Sequence, residues 1–360
     1  MKIPKFDPSE LKVIDEIPES PRMPAFKIYD YPVSARDGVV AAFNRKPIWQ
    51  IVDPDIKIFS PRLIPDNVAR AFIYEANSFD HGNGGGKDMF GIEWEYVPVA
   101  GGSMVRPGKA FMEDANEWYE RLQWPDIESW DWEGSARENN GTYLKPDIFN
   151  IIWFQTGFYE RLISFMDFEA AVMAMIDEDQ VDAIKDLFDK LADLYIRIFD
   201  KYLNYFENID GFYFHDDWGA QKETFFSPNT VAEMIVPAMK KVTDFIHSKG
   251  KVAEFHSCGQ LLKQVPNMIE AGWDAWGGQA INDFEKIYDK YGDKILVGIV
   301  PESFDPKTTS EEEQRAIARS YADKYCNPEK PSYLHRYGAP FLTSSFREEL
   351  YIQSRKNYSR

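Results

Sequence analysis

From residue 146 onward, strand-like and helix-like periods alternate along the chain. The stretch NIIWFQTG (150–157) is a short apolar run closed by glycine, the pattern of a strand buried on both faces. Residues 158–176 and 179–206 carry apolar residues at helical spacing, the second through Val181, Ile184, Leu187, Phe188, Leu191, Leu194 and Tyr195. IDGFYFHDD (209–217) reads as the next strand. Ser227 and Pro228 then start a helix, a capping hydroxyl followed by a proline at the one position where its missing N–H is not needed, and Gly250 ends that helix after Lys249. KVAEFHSCG (251–259) predicts a strand, and 260–271 a helix closed by Gly272. DAWGGQ, KILVGIV and PSYLHRYG predict further strands with helices between them. Strand alternating with helix makes a parallel sheet covered by helices, an α/β fold. Over this length a closed (β/α)8 TIM barrel accounts for the run better than two open sheets.

Ahead of this region the pattern loosens. Residues 1–35 are rich in proline and mixed in charge, and predict an N-terminal arm, with 36–360 forming one barrel domain. KPIWQIV and DHGNGGGKDMFGIEWEYVPVAGGSMVRPG supply short strand-like and loop-like pieces. The glycine run at 82–86 lacks the Gly-Lys-Ser/Thr ending of a phosphate loop and predicts a flexible loop able to act as a lid.

Composition narrows the function. The formal net charge of -18 opposes binding to nucleic acid or to an anionic membrane surface. Two cysteines, Cys258 and Cys326, cannot frame a disulfide scaffold and fit a reducing compartment. The polar N-terminus lacks the apolar core of a signal peptide, and no run approaches the roughly 18 apolar residues of a membrane span, so the expectation is a soluble cytoplasmic protein. Aromatics reach 15%, enough to fill a core and also to line a pocket for a flat apolar ligand.

Three places carry candidate chemistry. In KVAEFHSCG, Glu254, His256 and Cys258 alternate with Ala253, Phe255 and Ser257. Positions i, i+2 and i+4 of a strand share a face, so a carboxylate, an imidazole and a thiol line one side at the C-terminal end of a strand, where parallel barrels keep their active sites. That mixture suits zinc. His256 and Cys258 are the first candidates, ahead of Glu254. Asp216 and Asp217 end the preceding strand before Trp218-Gly219, and their aromatic setting favours a carboxyl that orients substrate or handles a proton. Glu302 closes another strand in PESFDP, and His335 lies near the end of the last.

From about 146 to 300 the chain resembles the uroporphyrinogen-decarboxylase superfamily, through FQTGFYERLISF, DDWGAQKETFFSP, IHSKGKVAEFHSCG and MIEAGWDAWGGQ in that order. Residues 35–145 resemble it loosely through AAFNRKPIWQ and DMFGIEW. Where the decarboxylases carry an arginine-rich motif, this chain has KPIWQIVDPD, and HSCG is similar to the His-x-Cys zinc motif of the corrinoid methyltransferases. The resemblance implies a TIM barrel that binds zinc through His256 and Cys258, with Glu254, Glu302, His335 or Cys326 completing the shell. Cys326 falls earlier in the chain than the further zinc cysteine of the thiol-methylating members. It implies methyl transfer from a methylated small molecule, a methoxylated aromatic, to the Co(I) corrinoid of a separate partner protein, with homodimerisation common in the superfamily. On that reading Asp216, Asp217 and Glu302 serve catalysis, and Trp153, Phe214, Trp218, Trp276 and Gln279 contact substrate. A decarboxylase of the same superfamily, methyl transfer from corrinoid to a thiol, and a non-catalytic docking barrel are the alternatives.

Overall fold

A computed structural model describes residues 5–18, 25–52, 55–99, 102–335 and 342–359. The fold is α/β and TIM-barrel-like. Its parallel strands are β1 (Ile56–Phe59), β2 (Phe149–Phe154), β3 (Ile209–His215), β4 (Val252–His256), β5 (Ala275–Gly277), β6 (Leu296–Ile299) and β7 (Ser332–Leu334), taken in chain order with helices between. Five of these seven lie within the segments that periodicity assigns to strands, β2 begins one residue ahead of its segment, and β1 lies outside them. The predicted last strand reaches 338, and its residues 336–338 lie outside the described ones.

The chain divides into two compact units. One comprises Met1–Lys57, Asp147–Phe149 and Ala275–Arg360, the other Ile58–Pro146 and Asn150–Asp274. In the first, β5, β6 and β7 pair in parallel, and Val52 bridges Leu334. A short antiparallel hairpin (Val13–Ile17 with Phe26–Tyr29) belongs to the same unit, so the predicted arm is paired structure in part. There Glu10 is ion-paired to Arg355 of the last helix, at 2.8 Å.

In the second unit β2, β3 and β4 pair in parallel with Trp153 opposite Tyr213 and His215 opposite His256. Alternation along β3 sends Phe212 and Phe214 one way and Tyr213 and His215 the other. The helix α3 (Val181–Tyr205) covers the first face, with Phe199 stacked on Phe212 at 4.2 Å and Tyr195 against Phe154 at 4.8 Å. The sequence predicts one helix over 158–176. The structure has two, α1 (Phe158–Met166) and α2 (Phe168–Ala174), because Asp167 takes a left-handed φ of 62° and its carboxylate accepts from the Gly108 N–H at 2.7 Å. The helix predicted from 228 to 249 likewise divides into α4 (Pro228–Met234) and α5 (Val236–Ser248), where Pro237 has no N–H to continue the ladder.

The predicted glycine lid is a correction. Gly85–Lys87 is a strand, and with Glu93–Val97 and Gly102–Val105 it forms a three-stranded antiparallel sheet. Gly85 takes φ 105°, and a Cβ there would lie 2.9 Å from the Trp94 carbonyl oxygen, so the glycine serves close strand pairing.

Candidate metal centre

The centre lies in the second unit, where β3 and β4 run out into their loops. Both loops begin with paired backbone: the Asp216 N–H donates to the His256 carbonyl at 3.1 Å, and the Trp218 N–H to the Ser257 hydroxyl at 2.9 Å. Gly219 and Gly259 then pass each other in contact. A Cβ on Gly259 would sit 2.3 Å from the Gly219 carbonyl carbon, and Gly259 has φ 99°. The glycines of DDWG and HSCG thus let the two strand ends lie side by side.

That approach gathers His215, Asp217, His256 and Cys258, each offering one ligand atom, all within 4.8 Å of one another. His256 Nε2 is 3.3 Å from the Cys258 sulfur, and His215 Nε2 is 3.8 Å from Asp217 Oδ1. Donors about 2.1 Å from one tetrahedral ion sit about 3.5 Å apart, so these spacings and this donor mixture fit zinc. The Cys258 N–H donates to Asp217 Oδ1 at 2.6 Å, which fixes the carboxylate beside the thiol.

The histidine is oriented from behind. His215 Nδ1 lies 2.8 Å from Glu160 Oε2, and Arg70 pairs with the other oxygen of Glu160 at 3.1 Å. Arg70 in turn rests over the Trp94 ring at 4.8 Å. A carboxylate on Nδ1 leaves Nε2 to face a metal. Burial pushes Glu160 up, but the charges of Arg70 and His215 outweigh it and hold the carboxyl down at about 2. Burial would lower His215, yet Glu160 and Asp217 carry it well above the ordinary imidazole range. Burial raises Asp217, against the pull of His215.

Rings continue the same face of the sheet. Phe72 lies 4.3 Å from Trp153, Trp153 stacks on Tyr213 at 4.4 Å, and His215 stacks on His256 at 5.1 Å. This stepped aromatic wall leads from β2 to the four ligand-type groups.

The expected site residues divide. His256 and Cys258 stand in the group, as does Asp217, and Trp153 forms the wall. Glu254 is buried on β4 outside the group of four. Cys326 lies in the other unit, its thiol donating to Gln50 Oε1 at 3.2 Å. Asp216 faces the helices: it accepts from the N–H groups of Tyr159 and Glu160 at 3.2 and 2.9 Å and from the Trp218 indole at 2.9 Å. It caps α1, because Gly157, the residue just before the helix, has no side chain to do so. Burial, with the Glu160 charge, pushes its carboxyl up to about 7. Phe214 and Trp218, expected to touch substrate, are packed among Phe158, Phe255 and Trp273 on that same outer side, and alternation along β3 turns Phe214 away from His215. Trp276, Gln279, Glu302 and His335 belong to the other unit, Trp276 buried against Phe284 and Glu302 exposed. His215, Glu160 and Arg70 are additions to the residues expected from sequence. His215 stands two residues before Asp217 and shares its face, a signal present in FYFHDD. Glu160 and Arg70 have no local signal.

No protein-family model and no curated protein matches this chain. Among solved structures it is similar to one described as a methyltransferase from Methanosarcina mazei, at 12% identity and a TM-score of 0.58, over 90% of this chain and 98% of that one. At that identity the likeness shows the fold. Among the described residues no helix is long and apolar enough to cross a membrane.

Proposed function

We propose that this chain is a zinc-dependent methyltransferase that takes the methyl group of a methoxylated aromatic and delivers it to the Co(I) corrinoid of a partner protein. The observation that carries the reading is the convergence of His215, Asp217, His256 and Cys258 at the end of an aromatic wall. The fold shared with a structure described as a methyltransferase agrees with it. Zinc held by three of these four groups, with its fourth tetrahedral position open, would supply Lewis acidity toward an ether oxygen, which makes an aryl oxygen a better leaving group. One sulfur among four donors suits an oxygen ligand better than a sulfur-rich set would.

The chain's own residues do the rest. Glu160 keeps His215 in the tautomer that offers Nε2, and the Cys258 N–H keeps Asp217 in place. Trp153 and Tyr213 give a flat surface against which an aromatic ring stacks. In the transfer the methyl–oxygen bond breaks, the bonding pair stays on the oxygen, and one proton converts it to the phenol. The methyl group joins cobalt through the pair that Co(I) supplies.

Metal analysis tests this. The purified chain is expected to hold about one zinc, lost in His256→Ala and Cys258→Ala while both stay folded, and kept in Cys326→Ala. The loaded chain is then expected to methylate a Co(I) corrinoid from methoxyaromatics, followed by the cobalt absorbance. A chain that takes up no zinc when zinc is supplied, or variants that keep it, would overturn the reading in favour of a metal-free role on the same fold.

A further inference from the structure

The glycine-rich insertion borders a cavity of about 480 Å³, none of whose lining belongs to the four ligand-type groups. It lies within the second unit, and cavities of roughly 300–1,000 Å³ hold small ligands. Ile92, Trp94, Val105 and Phe111 give it an apolar lining, the first two buried and the others half-buried. Glu93, Glu95, Arg106 and Lys109 bring charge to the same lining, all four exposed.

The lining is held by groups that are not part of it. Asp88 accepts from the Phe90 and Ile92 N–H groups, each at 2.9 Å, and from the Trp94 indole at 3.0 Å. Those three bonds fix the turn and the indole together. The segment that carries Phe111 is anchored separately. The Met112 N–H donates to the Phe165 carbonyl at 2.8 Å, and the Arg121 guanidinium rests over the Phe111 ring at 4.9 Å. A lining already in place spares a ligand the cost of ordering it.

The charges divide into a closed pair and an open one. Arg106 is ion-paired with Glu95 across the sheet. The side chains of Lys109 and Glu93 have no hydrogen bond or ion pair among the described residues. One ammonium and one carboxylate thus border an apolar space without meeting each other, which complements a ligand that carries both charges on an apolar body.

We propose that this cavity is a second ligand site and that it takes an aromatic α-amino acid. The ring lies against Trp94 and Phe111, the carboxylate meets Lys109 and the ammonium meets Glu93. A ligand of a single charge meets one of these groups and enters against the like charge of the other. The proposal is independent of the methyl-transfer reading, since no residue of the cavity is a candidate metal ligand.

Calorimetry on the purified chain tests it, with L-phenylalanine as the zwitterion and 3-phenylpropanoate and 2-phenylethylamine as its single-charge counterparts. L-phenylalanine is expected to bind about three- to fivefold tighter than either, the worth of one exposed ion pair. Lys109→Gln is expected to bind it no better than 2-phenylethylamine, and Glu93→Gln no better than 3-phenylpropanoate. Trp94 also carries Arg70 at 4.8 Å, so the cavity is blocked through Val105→Phe, which is expected to abolish binding of all three and keep the zinc content. Binding is expected to survive in His256→Ala. A wild-type chain without the preference, or Lys109→Gln and Glu93→Gln variants that retain it, would overturn the proposal. Binding that persists in Val105→Phe and disappears in His256→Ala would place the amino acid on the metal centre and overturn it as well.

Discussion

Glu160 shows how much of the centre depends on a residue that touches no candidate ligand ion. Its carboxylate sits on His215 Nδ1 at 2.8 Å and is charged because Arg70 stands behind it. Glu160→Gln keeps the shape and removes the charge, so the His215 ring loses its enforced tautomer and some basicity. We expect zinc affinity, measured by competition with a chromophoric chelator, to fall about 10- to 100-fold while the circular dichroism stays native. An unchanged affinity would mean that His215 does not bind the ion. The sequence carries half of this arrangement. His256 and Cys258 are two residues apart on a strand, and their common face follows from the period alone. Asp217 and His215 are legible the same way once the face of β3 is known, and choosing Asp216 as its equal ignores that adjacent residues point oppositely. Glu160 and Arg70 come from elsewhere in the chain, and only the fold brings them to the imidazole.

At the scale of elements, the C-terminal two-thirds was legible because each strand there is a short apolar run and each helix keeps its period. The breaks within helices were not, since Asp167 is set by its bond to Gly108 and not by its own propensity. The glycine-rich insertion was least legible, because its three strands are short and its order comes from buried ions. Arg161 of α1 is fully buried, its guanidinium bonded to Asp66 and, at 2.6 Å, to Asp88. Asp88 also accepts from the Trp94 indole at 3.0 Å, and Asp66 from the Met89 N–H at 3.1 Å. The ion pairs therefore tie α1 to the segment that leads into the antiparallel sheet. Arg161→Met fills much of the same volume but leaves two buried carboxylates facing each other. The loss expected in urea unfolding is about 3–5 kcal/mol, with zinc content per folded chain unchanged. A loss under 1 kcal/mol would show that the insertion is held by packing instead.

Over the whole molecule, charge sets the pH at which the fold is most stable. The chain carries -18 at pH 7, so self-repulsion grows as pH rises above its pI of about 4.8. Two ion pairs bound the window from opposite sides. His247, in the last turn of α5, is raised above 6.5 chiefly by its hydrogen bond to Asp274 at 3.0 Å. The folded state thus binds this proton more tightly than the unfolded one. Its stabilisation is present in full below pH 6.5 and is lost as pH rises through the folded value. Both partners are more than a third exposed, so screening keeps the contribution under about 1 kcal/mol. Glu10 behaves oppositely. Burial would raise it, but its bonds to Arg355 and Tyr351 outweigh burial and lower it below 4.5. Its stabilisation is present above pH 4.5 and is lost as pH falls through the folded value. Melting temperature measured from pH 3 to 9 is therefore expected to peak on the acid side of neutrality, between about 5 and 6.5. His247→Gln should flatten part of the fall above pH 6.5 and leave the acid side alone. Glu10→Gln should lower the whole curve, because Arg355 remains buried without its counter-charge, and should flatten the acid limb. A peak at pH 8, or a Glu10→Gln curve parallel to the wild type through pH 4, would show that other groups govern the balance.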